Sequence, residues 1–183
     1  MDFNDEKTLP VIRNMKNFEA ALKSDFQYII LIDSHISQLK GISDYIKKAN
    51  KQLIIHVDLV QGLKNDEYAT QFLIQDIKPI GLISTRAEVI ITAKKKGLLT
   101  IQRLFLLDSN ALEKNYRYIE KTKPDYIEVI PGVIPHIITE IFEKTRIPIL
   151  AGGLIRTQTE AENALRAGAI AITTSNPNLW EKS

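Results

Sequence analysis

Two short segments near the carboxyl end carry the residue types that grip an oxyanion. Ala151, Gly152 and Gly153 place little or no Cβ in the way, so peptide N–H groups can approach an anion closely. One unit later, Thr173, Thr174, Ser175 and Asn176 add hydroxyls and further N–H groups. Asn176 and Pro177 read as cap and first position of a short last helix, whose positive end faces the same place. A Gly-Gly pair alone is usually a tight turn. Paired with the Thr-Thr-Ser-Asn run, it is better read as a phosphate cradle built from Gly152, Gly153, Thr174 and Ser175. Gly132, following Pro131, can offer another close backbone approach.

Polar groups set in apolar runs are the second signal, because each costs on the order of 1–3 kcal/mol when buried without a partner. Asp33, His56, Asp58, Arg103 and Glu128 all stand in or at the ends of such runs. The two-residue period puts His56 and Asp58 on one face and aims Arg103 and Glu128 into the same mouth, where they suit the hydroxyls of a small polyol. A self-satisfied ion network is the competing account, for which Arg103 with Glu128 or Asp58 would suffice. Three carboxylates near one mouth also suit magnesium, but no tight motif accompanies them and no metal is assigned.

Residues for covalent catalysis are missing. Every lysine falls in a helical segment, a loop or a terminus, whereas a Schiff-base lysine must face inward from a strand. There is no G-x-S-x-G elbow and no H-E-x-x-H pair, and the three histidines are His35, His56 and His136. No catalytic residue is assigned. Basic side chains gather at Lys47, Lys48 and Lys51, at Lys94, Lys95 and Lys96, and at Lys121 and Lys123. Cations in a last helical turn complement the helix dipole, which is the preferred explanation. A footprint for RNA phosphates is the alternative, with Lys94, Lys95 and Lys96 its best candidates.

Positioning such groups needs a regular scaffold. Eight apolar runs begin at Leu9, Tyr28, Leu53, Ile80, Leu98, Tyr126, Ile147 and Ala169, with amphipathic segments between them. This is the pattern of a parallel sheet under crossover helices. Thr85 with Glu88, and Thr157 with Glu160, have capping-box spacing before helices expected to stop at Gly97 and Gly168. Pro135 suits a first helical turn, and Ala161, Ala164 and Leu165 put small apolar groups on one helix face. Near-even spacing, and no glycine in the run LPVIRNMKN, favour a closed barrel over a doubly wound sheet. The expectation is a compact α/β chain, one (β/α)₈ domain over residues 1–183.

Composition agrees. A chain of 183 residues is shorter than the roughly 250 typical of such barrels, so its loops must be short. Hydrophobic residues at 44% and charged residues at 25% suit a globular core, and a net charge of +2 gives no overall field for a polyanion. Absent cysteine excludes disulfides and thiolate chemistry. The polar, acidic amino terminus and the lack of a long apolar stretch predict a cytoplasmic protein with no membrane partner.

Taken in order, PVIRNMKNFEAAL from Pro10, HVDLVQGLKNDEYA from His56, GLISTR from Gly81, IQRLFLLDS from Ile101, IEVIPGVIP from Ile127, PILAGGLI from Pro148 and AITTSNPNLW from Ala171 resemble one family. It is that of the bacterial glycerol uptake operon antiterminator regulatory proteins. The resemblance implies a barrel that senses sn-glycerol 3-phosphate as its effector, uses no cofactor, and acts on the untranslated leader of glycerol-utilisation mRNA. On this analogy Gly152, Gly153, Thr174 and Ser175 hold the phosphate, while Asp58, Arg103, Glu128 and Gly132 line the glycerol side. The loops after Asp33 and Leu59, the second containing Gly62, are the candidates for movement. A homo-oligomer is compatible with the sequence. Two other readings stand beside it: a magnesium-dependent transferase on a glycerol phosphate using Asp33, Asp58 or Glu128, and a phosphate-binding barrel that serves as a partner in a larger complex.

Overall fold

A computed structural model describes residues 3–180. Eight strands alternate with helices: β1 (Thr8–Ile12), β2 (Tyr28–Leu31), β3 (Gln52–His56), β4 (Gly81–Ser84), β5 (Leu99–Phe105), β6 (Tyr126–Ile130), β7 (Ile149–Gly152) and β8 (Ala169–Thr174). All pair in parallel in chain order, and β8 returns to β1 to close the barrel. The helices are α1 (Phe18–Lys23), α2 (Leu39–Lys48), α3 (Glu67–Phe72), α4 (Ala87–Lys95), α5 (Ser109–Thr122), α6 (Pro135–Thr145) and α7 (Gln158–Arg166). A 3-10 turn, Pro177–Leu179, stands where an eighth helix would follow. This is the (β/α)₈ barrel expected from the apolar runs.

The strands read as continuous apolar runs because both of their faces are buried. One face fills the barrel with Leu9, Val11, Tyr28, Ile30, Ile54, Ile83, Ile101, Leu150 and Ala171. The other packs beneath the helices in two clusters, one around Leu31, Leu82 and Val89, the other around Val129, Ile149 and Ala164. Phe3 plugs the amino end of the barrel, its ring 5.1 Å from that of Tyr28 and 4.8 Å from that of Tyr126. The polar start of the chain gave no sign of that plug.

Helix ends follow local chemistry. Thr157 accepts from the Glu160 N–H while Glu160 reaches back to the Thr157 N–H, the capping box expected for α7. Thr85 does not cap α4. The cap position is Arg86, and Thr85 is held by Asp58, whose carboxylate accepts from both its hydroxyl and its N–H. Gly97 and Gly168 follow α4 and α7 at φ of +78° and +104°, where a Cβ would be strained. The loops after β2 and β3 are laced together, Gln61 donating to the Ser34 carbonyl and Ile36 to the Gln61 carbonyl.

Candidate functional site

Strand alternation builds the site. Above the apolar filling of the barrel, the next inward positions are His56 on β3, Arg103 on β5, Glu128 on β6 and Thr173 on β8, all buried. Arg103 and Glu128 are register partners on adjacent strands, and Arg103 Nε donates to Glu128 Oε2 at 2.6 Å. The other Glu128 oxygen accepts from the Thr173 hydroxyl at 2.7 Å. Gly152 is paired with Thr173 in register, and a Cβ there would overlap the Thr173 hydroxyl and lie 3.0 Å from Glu128 Oε1. Only glycine leaves this corner open.

The Gly-Gly bend and the Thr-Thr-Ser-Asn run therefore meet. Together they line a cavity of about 310 Å³ at the carboxyl ends of β7, β8 and β1, with Gly153, Thr174 and Ser175 on its wall and Arg103 and Glu128 at its base. Neither the Gly153 N–H nor the Ser175 N–H meets a protein acceptor among the described residues. Asn176 ties the two bends together by donating to the Arg156 carbonyl at 3.5 Å and caps the last turn by accepting from Asn178. Arg13 and Arg156 also line the cavity, beside Arg103. Arg13 lies 3.3 Å from Asp33 at an exposed position.

His56 is the unusual member of this layer. It is 2% exposed and neither ring nitrogen has a partner among the described residues. Burial, and then the nearby Arg103 charge, lower its pKa to about 4, against the opposing pull of Glu128 and Asp58. The ring is neutral at pH 7, with a donor and an acceptor both unsatisfied.

Other residues singled out in the sequence go elsewhere. The chain leaves the strand at His56 into a tight turn, Val57–Leu59, so alternation stops before Asp58. The Asp58 carboxylate turns to Ser84 and Thr85, accepting from the Thr85 N–H at 2.8 Å. Gly132 sits against Gly152 and spends its N–H on the Gly152 carbonyl, a contact that admits no Cβ. Asp33, Asp58 and Glu128 each face a different partner, and the described residues contain no group of three or more metal-ligating side chains in reach of one ion. At the opposite end of the barrel, Lys94 bonds the Lys123 carbonyl and lies 3.3 Å from Asp125. Lys95 and Lys96 are exposed beside it.

Residues 8–180 match the family described as "Glycerol-3-phosphate responsive antiterminator". The chain belongs to that family. A glycerol uptake operon antiterminator regulatory protein from Listeria monocytogenes has a crystal structure that superposes with a TM-score of 0.97 at 42% identity, covering 100% of this chain and 99% of that one. An antiterminator-related protein from Thermotoga maritima gives a TM-score of 0.85 at 28% identity over 97% of this chain and 99% of its own. The Escherichia coli protein YgcP, uncharacterized, is 36% identical over 93% of this chain and 91% of its own length. The family is a regulatory one, tied to glycerol operon control. In this family member, Arg13 and Arg156 are the cavity residues that sequence reasoning missed. Arg13 directly follows β1 and Arg156 directly precedes the cap of α7, in loops where no period marks them.

Proposed function

We propose that the chain binds sn-glycerol 3-phosphate in this cavity without turning it over, and in that state acts on the untranslated leader of glycerol-utilisation mRNA so that transcription passes a terminator. The observation that carries the reading is the convergence of the Gly153 and Ser175 bends with Arg13 and Arg156 around a cavity whose base is the buried Arg103 and Glu128. Peptide N–H groups and guanidinium forks suit a phosphate dianion. The glycerol hydroxyls would meet Glu128 and Arg103 at the base of the cavity. A cavity of about 310 Å³ sits at the small end of ligand sites, which suits a three-carbon molecule. The same reading makes the chain a single cytoplasmic domain whose partners are the effector and the leader RNA. No helix among the described residues is long and apolar enough to cross a membrane.

Ligand that binds only the folded state stabilises it by about 2.7 kcal/mol at a hundredfold excess over Kd. Millimolar sn-glycerol 3-phosphate is therefore expected to raise the melting temperature by several degrees, with glycerol alone ineffective. Gly152→Ala should abolish the rise, because its methyl displaces Thr173 and Glu128. A wild-type melting curve that sn-glycerol 3-phosphate leaves unmoved would overturn the proposal.

A further inference from the structure

Beside the effector cavity a second, larger hollow of about 690 Å³ runs between the start of α4 and the outer face of α5. Its walls include Arg86, Arg103, Phe105, Leu107, Lys114 and Tyr118. We infer that this groove receives single-stranded RNA, and that Arg103 couples it to the effector. The inference rests on the antiterminator reading above and names the surface that reading leaves open.

Single strands are held by cations that track the phosphates and by aromatic rings on which bases stack. Both are present, on one surface. Lys114 and Tyr118 are four residues apart on α5 and so share a helix face, while Tyr116, on another face, is buried and donates to Glu140. Phe105, Leu107 and Tyr118 are large hydrophobic side chains left 46%, 83% and 49% exposed around the same hollow. Arg86 and Lys114 have no carboxylate partner among the described residues, whereas Lys94, Lys144 and Arg166 each have one. Glu88 is the acidic residue on the groove wall, and Asp108 at its edge is occupied in capping α5.

Three lysines of the rival basic clusters are spent on the fold, while Lys95 and Lys96 stay exposed. Lys47 bonds the Ile77 carbonyl, Lys51 bonds those of Ser24 and Phe26, and Lys94 bonds that of Lys123. They also lie at the amino ends of the strands, away from the effector. The groove instead shares Arg103 with the effector cavity. Arg103 spends its Nε on Glu128, and its terminal nitrogens have no protein acceptor among the described residues. A phosphate in the cavity would draw on those nitrogens and reset what the groove presents.

The test is fluorescence anisotropy of a labelled leader transcript with the full chain at saturating sn-glycerol 3-phosphate. Arg86→Glu with Lys114→Glu should weaken binding about a hundredfold and reduce the salt dependence by about one counterion per lost contact. Tyr118→Ala should weaken it about tenfold through lost stacking. Lys95→Glu with Lys96→Glu should change little. All variants should keep the effector-induced rise in melting temperature, which shows they are folded. Groove variants that bind like wild type, or a loss that falls on the Lys95 and Lys96 pair instead, would overturn the groove assignment alone. If wild type shows the melting shift yet binds no leader, or captures a protein in this groove instead, the RNA half of the reading falls together with the groove. An absent melting shift with intact RNA binding would sink the effector reading and leave the groove standing.

Discussion

His56 stands in the polar layer of the barrel without a partner, and its chemistry sets a pH dependence for the whole fold. Its folded pKa of about 4 lies below the ordinary histidine value of 6.5, so the unfolded chain binds the extra proton first. Its contribution to stability is therefore complete above pH 6.5 and is lost as pH falls toward 4, an amount of about 3 kcal/mol at 1.36 kcal/mol per unit. Urea denaturation at pH 7 and pH 4.5 should show wild type losing more stability than His56→Leu by about 2 kcal/mol, most of that span. Equal losses in the two proteins would mean that the ring is not held neutral in the fold. At this scale the sequence was partly legible. Arg103, Glu128 and His56 are visible because a period of two carries them inward among apolar neighbours. Asp58 continues the same period on paper, but the backbone turns at Val57 and sends its carboxylate to Ser84 and Thr85. No periodicity could flag Arg13 or Arg156, which line the cavity from loops.

Elements show how one motif reaches two outcomes. Thr157 and Glu160 form a reciprocal cap on α7, while Thr85 and Glu88, with identical spacing, do not cap α4. Thr85 is instead anchored through its hydroxyl and N–H to Asp58, supplied by a turn 27 residues earlier in the chain that local sequence does not reveal. Thr157→Ala should cost about 1 kcal/mol, seen as a fall in melting temperature of roughly 2–4 °C for a chain of this length. Double-mutant cycles should find coupling between Thr157 and Glu160, and between Thr85 and Asp58, of about 0.5–1 kcal/mol each, with none between Thr85 and Glu88. Coupling in that last pair would restore the capping box the spacing suggested. The strand starts were readable to within two residues because burial on both faces demands unbroken apolar runs, while the runs from Leu53 and Leu98 continue three residues past the ends of β3 and β5. The 3-10 turn Pro177–Leu179 was foreseen from Asn176 and Pro177, because both act on their nearest neighbours.

At the scale of the whole molecule, closure of the barrel brings its last strands against its first and so assembles a cavity from residues as distant as Arg13 and Asn176. The Phe3 plug belongs here too: a lone aromatic in a polar segment means nothing until Tyr28 and Tyr126 are brought together beneath it. Closure also sets the proposed effector cavity and the groove on either side of Arg103. If each site biases the same two arrangements of that guanidinium, binding must be reciprocal. Whatever factor the effector adds to RNA affinity, RNA adds to effector affinity. Calorimetry with sn-glycerol 3-phosphate, with and without saturating leader transcript, is expected to show a factor of about ten, which corresponds to about 1.4 kcal/mol of coupling. Lys114→Ala should weaken RNA binding and leave that factor intact, because the residue touches the groove alone. Arg103→Lys keeps the charge but loses the planar fork, and should bring the factor close to one. Full coupling retained in Arg103→Lys would show that the two sites communicate by some other route.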